Sequence, residues 1–170
     1  MNFTVAGFSS SAGAIFSECR RYRYVLWRTW EKTKKAHIAF IGLNPSTANE
    51  TVDDPTIRRC IEYSKELGFG GMFMLNIFAF RATDPKVMKA ESDPVGADND
   101  YWLRKICCEY TDDLVIAQWG NHGVHRGRST EVRRLVPQLH CFGITQIGEP
   151  KHILYQPYGI KPLLLSGGVA

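Results

Sequence analysis

The residues best placed to do chemistry are amides, hydroxyls and one histidine that follow apolar runs. The first set is Gly42-Leu43-Asn44-Pro45-Ser46-Thr47, which ends the apolar run Ile38 to Ile41. Pro45 fixes its own φ and pushes Asn44 towards extended conformations, so the Asn44 amide is held in a restricted direction. Gly42 either takes backbone angles closed to other residues or lets a ligand approach the main chain. Ser46, Thr47 and Asn49 add hydroxyls and an amide at the same mouth. A loop at the carboxyl end of an internal strand is where open α/β sheets bind ligands, and a plain polar turn is the alternative. The second set is Asn76, a polar residue inside the apolar run Met72 to Phe80. A buried amide without partners is costly, so Asn76 is either hydrogen-bonded structurally or aimed at a ligand. The third is Gln118-Trp119-Gly120-Asn121 after Leu114 to Ala117, and the fourth is His152 in the loop Gly148 to Tyr155.

Other groups carry alternative readings. Asp53 and Asp54 can bind a divalent cation or act as a base, but Asp54 before Pro55 is also the natural start of a helix. His122 and His125 with Arg126 and Arg128 either grip phosphates or form a solvated basic loop. Cys107 and Cys108 read as helix packing rather than nucleophiles. His140 reads as structural, and Gly70-Gly71 as a helix exit. No Gly-x-x-x-x-Gly-Lys phosphate loop occurs in the chain.

These loops need a scaffold of alternating strands and helices. Runs at Ile38–Ile41, Met72–Phe80, Leu114–Ala117 and Leu139–Ile144 read as four buried strands. Helices are expected from Asp54 to Leu67, briefly after Asp84, from Asp98 to Tyr110, and from Ser129 to Leu139. In the third of these, Tyr101, Trp102, Ile106 and Cys107 or Cys108 should face inwards. The alternation predicts right-handed crossovers in a three-layer α/β/α domain with a central, mainly parallel four-stranded sheet. Arg20 to Trp30 partly alternates arginine with Tyr, Val, Leu and Trp. It reads as a half-buried antiparallel strand with solvated arginines, or as an aromatic and basic face for nucleic acid. Residues 1–17 read as a loop or weak edge strand and 159–170 as an irregular tail, leaving a core of about 17–158 within one domain spanning 1–170.

Composition fits this scaffold. The 170 residues are 44% hydrophobic and 22% charged, values of an ordinary globular domain with one core. No apolar run approaches the roughly 18 residues that cross a bilayer, and no signal-peptide pattern opens the chain, so a cytoplasmic protein without a membrane partner is expected. Five cysteines without C-x-x-C spacing suggest reduced thiols. A formal charge of +4 and a pI near 8.8 are compatible with a phosphate-bearing partner. The basic residues gather at Arg20–Arg28, Lys32–Lys35, Arg58–Arg59 and His122–Arg134. A monomer is expected.

Gly42-Leu43-Asn44-Pro45, Leu75-Asn76, Trp119-Gly120 and His152-Ile153-Leu154-Tyr155 form an ordered set that resembles the motifs of the uracil-DNA glycosylase superfamily. Asn44 matches its mismatch-specific branch. Arg21–Tyr24, Gly42–Ser46 and Asp53–Thr56 resemble the signatures of a bacterial and phage family, domain of unknown function 1643, over about residues 17–158. The first resemblance implies a glycosylase-like fold and a hydrolase that releases a base, possibly modified or deaminated, from DNA or a nucleotide, without a metal or other cofactor. It implies that Asn44 and His152 are catalytic: Asn44 orients a water, and His152 donates to a base oxygen and stabilises the departing base. Asn76 would read a base edge, and Phe78 or Phe80 would stack on a flipped base. Leu154 would fill the gap left in the duplex. Gly42, Leu43, Pro45, Ser46, Trp119 and Gly120 would complete the pocket, with Arg58, His122, Arg126, Arg128 and Lys151 on the nucleic-acid backbone. His152-Ile153-Leu154 departs from the usual His-Pro-Ser, and Asn44 replaces the usual aspartate, so ordinary uracil is a doubtful substrate. A binding module that kept the pocket without catalysis, and a metal-dependent hydrolase using Asp53, Asp54 and His152, are the alternatives.

Overall fold

The computed structural model describes residues 8, 10–33, 37–111 and 114–165. Its chain order is β1 (Ala12–Phe16), β2 (Arg23–Thr29), β3 (His37–Gly42), α1 (Pro55–Glu66), β4 (Gly71–Asn76), α2 (Pro85–Ala90), α3 (Asn99–Glu109), β5 (Val115–Ala117), α4 (Arg128–Leu135), β6 (Leu139–Cys141) and β7 (Leu163–Leu164). Short 3-10 segments cover Asn121–Gly127 and Ile153–Tyr155.

The sheet has seven strands in the order β1-β2-β4-β3-β5-β6-β7, not four. The four expected strands are its parallel centre: β3 pairs with β4 and β5, and β5 with β6. Antiparallel strands extend it at both edges. On one side β2 pairs with β4 and is itself covered by β1, so Arg23 to Arg28 are buried throughout. The expectation of solvated arginines fails there because β2 is an inner strand. On the other side Leu163–Leu164 pairs with β6, so the segment after residue 159 is not wholly irregular. The readings of residues 1–7 as a loop or edge strand, of Lys34 and Lys35 as part of a basic cluster, and of 166–170 as tail lie outside the described residues.

Strand alternation splits the core into two layers, one on each face. Ala39, Ile41, Phe73, Leu75, Val115 and Ala117 face Met88, Leu103, Ile106 and Val132 of α2, α3 and α4. Ile38, Phe40, Met72, Met74 and Ile116 face Ile57, Cys60 and Tyr63 of α1. Period-two patterning therefore builds a three-layer packing with α1 alone on one face. The Asp54 carboxylate accepts from Ile57 N at 2.9 Å and Asp84 from Lys86 N at 2.8 Å, capping α1 and α2 as their Asp-Pro starts suggest. On α3 Asn99, Leu103, Ile106 and Cys107 are buried and Trp102 packs partly buried against the same core, whereas Tyr101 is 55% exposed. Cys108 is also exposed, and all five cysteines are free thiols.

Candidate functional site

Because β3 lies between β4 and β5, the loops after all three strands meet at one end of the sheet. Gly42 O and Leu43 O accept from Ile77 N and Phe78 N at 2.9 and 3.0 Å, extending the pairing past the strands. Gly42 is required by a neighbour: a Cβ there would stand 2.9 Å from Asn76 Nδ2. Leu43 is half-buried against the core and Pro45 is buried. Asn44 Nδ2 donates to Ala82 O at 2.7 Å and to Pro45 O at 3.2 Å, while Ala82 N donates to Pro45 O at 2.9 Å. The amide nitrogen is thereby committed, and Oδ1 is the acceptor it presents. Asn49 is spent on its own loop, accepting from Thr51 N and Val52 N.

On the β4 flank the buried groups are charged. Arg23, 2% exposed, donates to Ala48 O at 2.9 Å and to Asn76 Oδ1 at 3.3 Å. Burial lowers its pKa to about 10, with the Asp54 carboxylate opposing that shift. Asn76 is itself 3% exposed, and Asn99 Nδ2 ties down its carbonyl at 3.0 Å. Beside this lies an open cleft of about 470 Å³ lined by Arg20, Arg21, Ser46, Thr47, Phe80, Arg81, Ala82 and Thr83. Arg20 and Arg21 come from the turn between β1 and β2, where Arg20 holds a left-handed φ of 57°. Arg81 N donates to Arg21 O at 2.9 Å, zipping that turn to the exit of β4.

On the β5 flank the groups around Gln118 are uncharged, and beyond Trp119 the buried Glu149 carboxylate is paired with Arg133. Gln118 is fully buried; its Oε1 accepts from Ile153 N at 3.2 Å and its Nε2 lies 3.4 Å from Cys60 Sγ. Burial pushes the Cys60 thiol up to about 12, so it stays protonated. Gly120, at φ 66°, donates to Pro150 O at 2.9 Å and so fixes the loop that carries His152. His152 Nδ1 accepts from Leu154 N at 3.3 Å, heading the 3-10 turn that packs on α1. Burial lowers the His152 pKa and Asp54 partly offsets that, which leaves a neutral ring with its proton on Nε2.

The predicted residues are thus divided. Asn44, Ser46, Asn76 and Phe80 stand on the β4 flank, and Trp119, Gly120 and His152 on the β5 flank. Several assigned roles are corrected. Phe78 is fully buried against the His125 ring and has no free face. Phe80 is 9% exposed and lines the cleft, with Tyr22 edge-on and the Arg21 guanidinium 5.2 Å from its centroid, which leaves little ring face for a stacked base. Trp119 is 2% exposed and gives its indole N–H to Glu149. Arg128 is 2% exposed and is consumed by Ile77 O, Glu131 and Asp100. Asp53 pairs with Arg28 at 2.8 Å and Asp54 caps α1, so neither carboxylate stands free for a metal, and no three metal-binding side chains converge among the described residues. Arg58, His122, Arg126, Lys151 and Leu154 remain exposed; Arg58 donates to Asp53 O, Lys89 Nζ lies 3.0 Å from His122 Nδ1, and Arg126 donates to Glu91 O and Ser92 O.

Sequence reading missed Arg20, Arg21, Arg81 and Thr83 as one group. The available signal was Arg81 directly after the apolar run that ends in Phe80. Nothing in the sequence says that the turn before β2 folds back over it.

The arrangement is that of a mixed α/β protein with a polar, partly cationic face at the carboxyl ends of its parallel strands. Within that class the chain belongs to the family described as protein of unknown function (DUF1643), whose pattern matches residues 23–154. No curated protein and no solved structure matches the chain. Among the described residues no helix is long and apolar enough to cross a membrane.

Proposed function

We propose that the protein recognises a nucleobase at this end of the sheet and hydrolyses its N-glycosidic bond, in DNA or in a nucleotide. The reading joins the motif resemblance to the uracil-DNA glycosylase superfamily with one observation, the orientation of Asn44. With Nδ2 held by Ala82 O and Pro45 O, Oδ1 is left to accept a hydrogen bond from an attacking water. An amide orients that water without deprotonating it, so the reaction relies on a leaving group made good elsewhere. Neutral His152, with Nδ1 capped by Leu154 N, offers Nε2–H to a base oxygen as negative charge develops there. Exposed Leu154 is available as the apolar wedge when the substrate is a duplex.

The test is mass spectrometry of base release from single- and double-stranded DNA and from nucleotides carrying uracil, hydroxymethylated or deaminated bases. Release by the wild type that falls about 100-fold in both Asn44→Ala and His152→Ala is the expected result. Absence of release from every substrate would sink the hydrolase reading.

A second reading, a nucleobase-binding module without catalysis, is favoured by Asn76. Its Oδ1 is engaged by Arg23 and its side chain is nearly inaccessible, so the base-edge role that the resemblance gives it is not open to it, a departure from the catalytic pattern. Saturable binding of a base or nucleotide without product over long incubation would select it.

A further inference from the structure

We infer that the cleft between the β1–β2 turn and the exit of β4 is a binding site for a phosphoryl group. The inference goes beyond base recognition and stands whether or not a bond is cleaved.

Three guanidiniums line this cleft, and their states differ. Arg20 pairs with Glu50 at 2.8 Å and Arg21 with Glu91 at 2.7 Å. Arg81 has no carboxylate within ion-pair distance among the described residues; its Nη1 reaches Arg20 O at 3.3 Å, and its buried Nε has no hydrogen-bond partner. Behind it sits Arg23, 2% exposed, whose Nε is also buried without a partner. Asp54 acts on Arg23 electrostatically without forming an ion pair with it. Arg81 therefore brings to the cleft wall a positive charge that no carboxylate neutralises at ion-pair distance among the described residues, and an anion in the cleft would supply that partner.

The remaining lining selects phosphate chemistry. Ser46, Thr47 and Thr83 bring three hydroxyl donors to the wall, with Ser46 Oγ only 3.5 Å from Thr83 Oγ1. A planar guanidinium fork flanked by hydroxyls matches the several acceptor oxygens of a phosphoryl group. The left-handed Arg20 is the kind of strained backbone that collects at ligand clamps. A volume of about 470 Å³ holds a phosphate with a sugar attached. The phosphoryl group belongs either to a free nucleotide or to the terminal phosphate of a strand.

Titration calorimetry at fixed ionic strength tests this with inorganic phosphate, a deoxynucleoside and its 5′-monophosphate, and an oligonucleotide with and without a 5′-phosphate. The site predicts saturable phosphate binding and at least tenfold tighter binding of each phosphorylated ligand than of its phosphate-free counterpart. Arg81→Gln should erase that difference. Arg104→Gln, an exposed change of equal charge on α3, should keep it. Tighter binding of the mononucleotide than of the phosphorylated strand assigns the site to free nucleotides, and the reverse assigns it to strand ends. Phosphate-insensitive binding, or equal losses in Arg81→Gln and Arg104→Gln, would overturn the inference. Intact phosphate binding without base release would overturn the hydrolase reading alone.

Discussion

The two flanks of β3 treat polar side chains in opposite ways. Towards β4, the buried Arg23 guanidinium donates to the neutral Asn76 amide, and a cleft with three more arginines opens beside them. Towards β5, Gln118, Cys60 and His152 are uncharged and linked to one another through the 3-10 turn, with α1 packed over them. Asp54 is the common element: it caps α1 and acts electrostatically on Arg23, Cys60 and His152. On the proposed reading an anionic part of the ligand lies on the β4 side and a neutral hydrogen-bonding part on the β5 side, as a nucleotide would present them.

That contrast can be broken by mutation, most severely on the charged flank. Arg23→Ala strands Ala48 O and Asn76 Oδ1 and removes a buried side chain, so a loss of about 3 kcal/mol is expected. Thermal unfolding would then fall by about 6–12 °C. On the neutral flank, Gln118→Ala leaves Ile153 N without its acceptor and should cost about 2 kcal/mol by denaturant titration. If Gln118→Ala proved the more damaging, the charged flank would not be the stiffer one.

The next effect is a pH dependence. His152 has a folded pKa below its ordinary value of 6.5, so the unfolded chain binds more protons as the medium turns acidic. Its contribution is intact above pH 6.5 and is lost as pH falls below that value. His152→Gln should therefore flatten the stability profile on the acid side of 6.5, measured against wild type by urea unfolding. An unchanged profile would mean that His152 is not desolvated. The smallest effect is Arg21→Gln, which breaks an exposed pair with Glu91 and should change stability by less than about 1 kcal/mol while weakening phosphate binding.

The parallel centre of the fold was legible because its strands lie in short apolar runs followed by polar or glycine residues, and α1 and α2 because Asp-Pro marks their starts. The edges were not. Ala12-Gly13-Ala14 carries little strand propensity, and β7 has only two residues, so both depend on neighbours the sequence does not announce. The four arginines at positions 20, 21, 23 and 28 show the limit most clearly. All stand in one basic and aromatic stretch, yet Arg23 and Arg28 vanish into an inner strand while Arg20 and Arg21 stand over the cleft. Pairing order decides that, and pairing order is non-local. Asn44 was legible as a fixed amide from Pro45 alone, whereas its anchor, Ala82 O, lies 38 residues away. Trp119 and Arg128 looked like ligand contacts because Trp-Gly and a basic run resemble such motifs, but Glu149 and Asp100 claim them.

The proposed function requires one nucleobase ligand to reach both Asn44 and His152 at the carboxyl ends of β3 and β5. NMR titration of the Asn44 side-chain amide and the His152 ring with a panel of bases, nucleosides and 5′-monophosphates tests it most directly. The account predicts that at least one ligand shifts both sets of resonances together with a single dissociation constant, while the Trp119 indole N–H stays in place. Saturable binding that leaves both Asn44 and His152 unmoved would contradict it.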